Sequence, residues 1–154
     1  MIGRVAAAVC LLSPNVGWGS CEVDRVTVFG DWGQARFEVR VADEPAERSQ
    51  GLMFVESMPL LEGMLFVYPQ AQRATFWMRN TLIPLDMIFA APSGEVLSIH
   101  ENAIPLDQTT IDGGEGIQYV LEINGGLASR LGITVGDVLQ HPSIDQSAIK
   151  PCEK

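Results

Sequence analysis

The segment at residues 35–41 reads ARFEVRV, and its strict alternation constrains the fold more than any other stretch. Successive side chains of a strand point to opposite faces. Ala35, Phe37, Val39 and Val41 therefore share one face, and Arg36, Glu38 and Arg40 the other. A strand wet on one side belongs in an antiparallel sheet laid over a core. Residues 23–29 alternate in the same way, and Gly30-Asp31-Trp32-Gly33 separates the two, so a hairpin is expected. Further strands are expected at 64–68, 74–78, 85–90, 95–100 and 117–123, with a last one from Gly136. Residues 69–73 read as a turn, Pro92-Ser93-Gly94 as a hairpin turn, and 104–116 as a polar loop that includes Gly113-Gly114-Glu115-Gly116. Two short helices are expected. One lies at 43–53, with Asp43 as N-cap and Gly51 as stop; the other at 125–131 is capped by Asn124 and ended by Gly132. The sum is an α+β domain, mostly antiparallel β, forming a small curled barrel-like sheet with two short helices.

The first twenty residues differ in kind. Arg4 is their only charge, residues 5–12 (VAAAVCLL) have the length of a signal-peptide apolar region, and Pro14 and Gly17-Trp18-Gly19-Ser20 follow. Residues 1–20 are expected to be a signal peptide, 21–141 a single domain and 142–154 a polar tail. The protein is then periplasmic or otherwise exported. A cut after Ser20 would leave Cys21 first and open to a lipid anchor, although Trp18 stands where such signals usually carry Leu. Cys21 and Cys152 remain near the two ends, and in an oxidising compartment they read as a candidate disulfide. The chain carries 10 Lys and Arg against 19 Asp and Glu, a net −9. Loss of Arg4 makes it −10. This acidity argues against nucleic-acid binding, and no apolar run is long enough for a transmembrane helix.

Several segments carry a resemblance. They are Val41-Ala42-Asp43, Glu47-Arg48, Gly51-Leu52-Met53, Gly63-Met64-Leu65-Phe66 and Phe76-Trp77-Met78-Arg79-Asn80-Thr81. Ile83-Pro84-Leu85-Asp86, Tyr119-Val120-Leu121-Glu122, Gly132-Ile133 and Gly136-Asp137 complete the set. Together they resemble the domain of unknown function family 192 over about two-thirds of the chain. The resemblance implies a small, mostly β domain, often exported, with no established activity. Gln50 departs from the Arg that family members usually carry before Gly-Leu-Met.

The polar and aromatic residues at 76–86 form the candidate site. On a strand, Trp77 and Arg79 would share a face. An exposed Trp beside an Arg is a platform for a planar or sugar ligand, with the guanidinium free to pair a carboxylate or phosphate. Asn80 and Asp86 add polar groups where the strand turns. The leading expectation is a non-catalytic ligand-binding or accessory module using Trp77, Arg79, Asn80 and Asp86, with a small molecule or envelope component as partner and no cofactor. One alternative is a hydrolase acting through Asp86 and Glu122, with His100 in support. The other is a structural envelope domain in which Trp77 and Arg79 hold the fold. Asp137 after Gly136 reads as turn chemistry, and His141 before Pro142 as exposed. Met64, Met78 and Met87 sit in apolar positions and read as core rather than as thioether ligands for a cuprous ion. No metal site is expected.

Overall fold

Gly30 pairs with Gly33 across a two-residue turn, and this opens the computed structural model, which describes residues 21–144 and 148–152. The expected signal peptide at 1–20 lies outside the described residues. Seven strands and two helices follow in the order β1 (Arg25–Gly30), β2 (Gly33–Ala42), α1 (Pro45–Gln50), β3 (Glu62–Phe76), β4 (Leu85–Ala90), β5 (Val96–Ala103), β6 (Ile111–Asn124), α2 (Leu127–Leu131) and β7 (Val138–Gln140). One sheet holds all seven strands in the order β5-β4-β6-β3-β2-β1-β7. Its pairs are antiparallel except β2 with β3, which run parallel, so the sheet is mixed. It curls until its two edges meet at one corner. There Glu95 bridges Val138, Val96 N donates to Asp137 O at 2.8 Å, and Leu139 N donates to Gly94 O at 2.8 Å. The result is a curled half-barrel, the α+β, mostly antiparallel architecture expected above.

Both faces of the sheet centre are buried. Leu121 and Ile123 of β6 join Val26, Val28, Phe37, Leu65, Ile88 and Leu139 in one core, which α2 covers with Leu127 and Ala128. Val120 of β6 joins Met64, Phe66, Met87 and Phe89 in a second core on the other face, closed by Leu52 and Met78 from the connecting segments. Each fully buried Leu or Phe contributes about 1.5–3 kcal/mol relative to exposure. β4 is buried along its whole length, and it is apolar except for Asp86.

Several boundaries differ from expectation. β3 runs straight through the expected turn at 69–73. Register shifts between Val67 and Gln72 mark a bulge, and Pro69, which has no N–H for a ladder, sits within it. β6 begins at Ile111, so the loop spans only 104–110. Gly114 and Gly116 take φ of 91° and 75° where β6 bends, and Gly113 lets the Phe89 ring lie against bare backbone. α1 starts after Glu44 rather than Asp43, because Pro45 fits its first turn and the Glu47 carboxylate accepts from Glu44 N at 3.2 Å. α2 starts after Gly126. Asn124 instead donates its side-chain amide to Pro59 O at 2.9 Å and ties two distant loops together.

The residues after β7 lie against the domain. Ile144 is buried, the Tyr119 hydroxyl donates to Ser143 O at 2.9 Å, and Ile149 N donates to Ser93 O at 3.0 Å. Cys21 and Cys152 form a disulfide-capable pair with Cα atoms 5.6 Å apart. His141, expected to be exposed, is buried. Its Nδ1 accepts from Ser143 N at 3.0 Å, which leaves Nε2–H to donate to Val23 O at 2.9 Å. Burial pulls its pKa down, and the bond to Val23 opposes the shift. Among the described residues no helix is long and apolar enough to cross a membrane.

Candidate functional site

Glu122 sits near the end of β6 beside the apolar Val120, Leu121 and Ile123, and the register decides what it meets. Across the sheet it faces Met64 of β3 on one side and Met87 of β4 on the other, so its carboxyl enters the second core. It is only 4% exposed and accepts no hydrogen bond from any described residue. Removing a carboxylate from water disfavours its charged form. Burial pushes the Glu122 pKa up to about 8, so the group is mostly protonated at neutral pH.

What keeps this carboxyl from being sealed in is the way α1 crosses the sheet. Gly51 ends α1 with φ 51°, and a Cβ there would press on Phe66 Cζ at 3.2 Å, so the helix end lies directly over the second core. Arg48 in the last turn donates Nη1 to Val67 O at 2.9 Å and to Asp43 O, and its guanidinium lies 5.3 Å from the centre of the Tyr68 ring. Between α1, β3 and the segment after β3 is a cavity of about 270 Å³, whose lining includes Arg48, Met53, Tyr68, Phe76, Trp77 and Glu122. The Tyr68 hydroxyl senses both titratable neighbours, Arg48 and Glu122. Burial raises its pKa most, Arg48 opposes that, and Glu122 adds to it.

Of the four binding residues singled out in the sequence, only Trp77 lines this cavity. Trp77 and Met78 lie beyond the end of β3, so the strand-face argument for Trp77 and Arg79 does not apply. Trp77 is 46% exposed and forms one wall. Arg79 is not part of the wall; its guanidinium lies 5.4 Å from the Trp77 ring centre. Asn80 takes φ 55°, its carbonyl accepts from Phe54 N at 2.8 Å, and its amide reaches Met53 Sδ at 3.9 Å.

Asp86 does something different. It is fully buried and accepts three backbone N–H groups, from Asn102, Gly126 and Ala128, each at 2.8 Å. Gly126 and Ala128 open α2, so Asp86 caps that helix from a strand forty residues away. The register also corrects the expected hydrolase pair. Asp86 stands opposite Ile123, whereas Glu122 stands opposite Met87. Neighbouring strand positions face opposite sides, so the two carboxyls lie on opposite faces of the sheet and cannot flank one bond. His100 is exposed on β5. Asp137 accepts from Trp32 Nε1 at 2.7 Å and from Thr134 N at 2.9 Å, which is turn chemistry as expected.

Arg48 and Tyr68 carried no sequence signal as site residues, since one sits on a short polar helix and the other ends an apolar run. Glu122 did carry one: a carboxyl in the segment IQYVLEI is out of place unless something needs it. Gln50, the departure noted above, also lines the cavity. Among the described residues no group of three His, Cys, Asp or Glu is placed to hold a metal ion.

The sequence profile of the DUF192 family, described as Uncharacterized ACR, matches residues 26–141. Two solved structures are similar. One is a protein of unknown function from Novosphingobium aromaticivorans DSM 12444, 41% identical, with a TM-score of 0.74, covering 89% of this chain and 98% of that one. The other, from Sinorhizobium meliloti 1021, is named as a candidate transcription regulator. It is 40% identical, with a TM-score of 0.74, covering 80% of this chain and 96% of that one. Among curated proteins no significant match is found.

Proposed function

The chain belongs to the DUF192 family, and on that premise we propose that it is a non-catalytic module that binds a small molecule in an exported, oxidising setting. One observation carries the reading. Glu122 is a buried carboxyl that lines a cavity and has no hydrogen-bond partner among the described residues. Among the described residues no sealed side-chain oxygen or nitrogen lacks a partner, so the Glu122 oxygens are open to the cavity, where a ligand that enters can bond them directly. Trp77, Phe76 and Tyr68 provide apolar walls, and Arg48 provides a fixed cation. In this reading Arg79 and Asn80 set the position of Trp77 and its loop, while Asp86 holds α2 in place. A regulator role is not carried over from the Sinorhizobium relative, because 19 acidic against 10 basic residues repel a phosphate backbone.

The setting is read from the Cys21–Cys152 pair, which closes almost the whole domain. In the chain-entropy account such a loop contributes about 4–5 kcal/mol. Cys152→Ser is expected to cost roughly 2–4 kcal/mol in denaturant unfolding; unchanged stability on reduction would remove the argument for an oxidising compartment.

The binding reading is tested by a thermal-shift screen at pH 6.5 against carboxylates, amines, sugars and nucleotides. A ligand that binds only the folded state raises the melting temperature. The expected result is a class of hits that disappears in Trp77→Ala. A screen with no hits, or hits indifferent to Trp77→Ala and Glu122→Gln, would count against it.

A further inference from the structure

Resting on the binding reading, we propose that the ligand is an organic monocarboxylate. Its carboxylate is held between the Arg48 guanidinium and the Glu122 carboxyl, and its apolar body lies against Trp77 and Phe76.

The first argument is the inventory of polar groups. Arg48 already gives Nη1 to two backbone carbonyls and stacks on Tyr68, so the guanidinium is oriented before any ligand arrives. Its other N–H groups remain, and a guanidinium has five in a fixed fork. Glu122 has no partner among the described residues, and its carboxyl sits at the cavity wall. In its protonated form it is a donor. Arg48 and Glu122 line the same cavity, so a cationic donor and a neutral one are both open to the two oxygens of one bound carboxylate. The acid–carboxylate hydrogen bond needs no net proton transfer.

The second argument is charge. Arg48, Tyr68 and Glu122 are the titratable groups in the lining; the other lining residues are uncharged. Glu62, two residues before Met64 on β3, and His100 of β5, the cross-strand partner of Met87, lie outside the cavity. With Glu122 protonated the cavity holds one positive charge. A monoanion neutralises it, an amine adds to it, and a phosphate dianion overshoots it. The third argument is shape. A cavity of about 270 Å³ with Phe76 and Trp77 in its lining suits a body of benzoate or hexanoate size.

The experiment uses the full chain with four probes: benzoate, hexanoate, benzylamine and benzyl alcohol. Binding is followed by two-dimensional NMR at the Trp77 indole N–H and by thermal shift, at pH 6.5 and pH 9. The proposal expects both carboxylates to bind with Kd of about 1 mM or tighter at pH 6.5, the range such small ligands reach. Glu122 titrates near 8, so at pH 9 about a tenth of it stays protonated and the apparent affinity falls about tenfold. Arg48→Met, which keeps the apolar stem, should abolish carboxylate binding. Glu122→Gln keeps a donor, so it should keep binding and lose the pH dependence.

Amine binding that strengthens from pH 6.5 to pH 9 would overturn the carboxylate assignment and leave the binding site standing. So would benzyl alcohol matching benzoate. Carboxylate affinity unchanged by pH, or unchanged in Arg48→Met, would also overturn it. If none of the four probes moves the Trp77 resonance, the assignment and the site reading both fall.

Discussion

Asp86 and Glu122 are two acids buried in adjacent strands of one sheet, a register position apart, and they have opposite consequences. Asp86 is surrounded by N–H groups: three backbone donors reach it at 2.8 Å. Glu122 stands between Met64 and Met87, and no described residue donates to it. Desolvation without hydrogen bonds disfavours the charged form of a carboxyl, and that raises the Glu122 pKa. Burial alone therefore does not mark a functional acid. The accounting of partners does, and here it assigns Asp86 to the fold and Glu122 to the cavity.

The sharpest way to break this comparison is to remove Asp86. Asp86→Ala leaves three donors without their acceptor and loosens α2, so unfolding free energy should fall by at least about 3 kcal/mol in urea titrations. Glu122→Gln at pH 6 should cost less than about 1 kcal/mol, since a neutral side chain replaces a neutral one. Equal losses would erase the distinction.

The next effect is on pH dependence. The Glu122 carboxyl ordinarily titrates at 4.5, and in the folded chain it is raised to about 8. Between these values the folded state holds the proton and the unfolded state does not. The contribution to stability is thus complete below 4.5 and is lost as pH rises through 8. Wild type should lose roughly 2 kcal/mol or more relative to Glu122→Gln between pH 5 and pH 9. Parallel curves would contradict the unpartnered carboxyl.

His141 extends the comparison to a base. Both its nitrogens are satisfied and burial depresses its pKa, so it folds neutral. The unfolded state takes up the proton first as pH falls below about 6.5, and stability should decline from there in wild type and less in His141→Gln. The smallest expected effect is Arg79→Ala. Losing an exposed stack on Trp77 should cost about 0.5–1 kcal/mol and leave ligand affinity nearly unchanged, because Arg79 is not part of the wall.

Much of the sheet was legible in the sequence, and the reasons are specific. The alternation at 35–41 and the Pro92-Ser93-Gly94 turn were read correctly because one wet face and a tight turn leave a local imprint. The two halves of β3 were expected as strands, but the join at 69–73 and the first half of β6 were misread because Pro69 and the glycines at 113–116 look like breaks. In the fold they mark bulges and a bend that let two long strands curl. The parallel β2–β3 pair depends on which strands become neighbours, which no local pattern records. At the site, Trp77 was conspicuous and Glu122 noticeable. Arg48 and Tyr68 were not, since the cavity arises only when α1 folds across β3. Asp86 was read as a ligand residue because its three donors lie 16, 40 and 42 positions away.

The account rests on the protonation state of one side chain. An NMR titration of the Glu122 side-chain carboxyl in the folded chain measures it directly. The account predicts a midpoint near 8, well above the ordinary 4.5. A midpoint near 4.5 would mean that the carboxyl is solvated or paired, and the unpartnered acid at the centre of the proposed site would not exist.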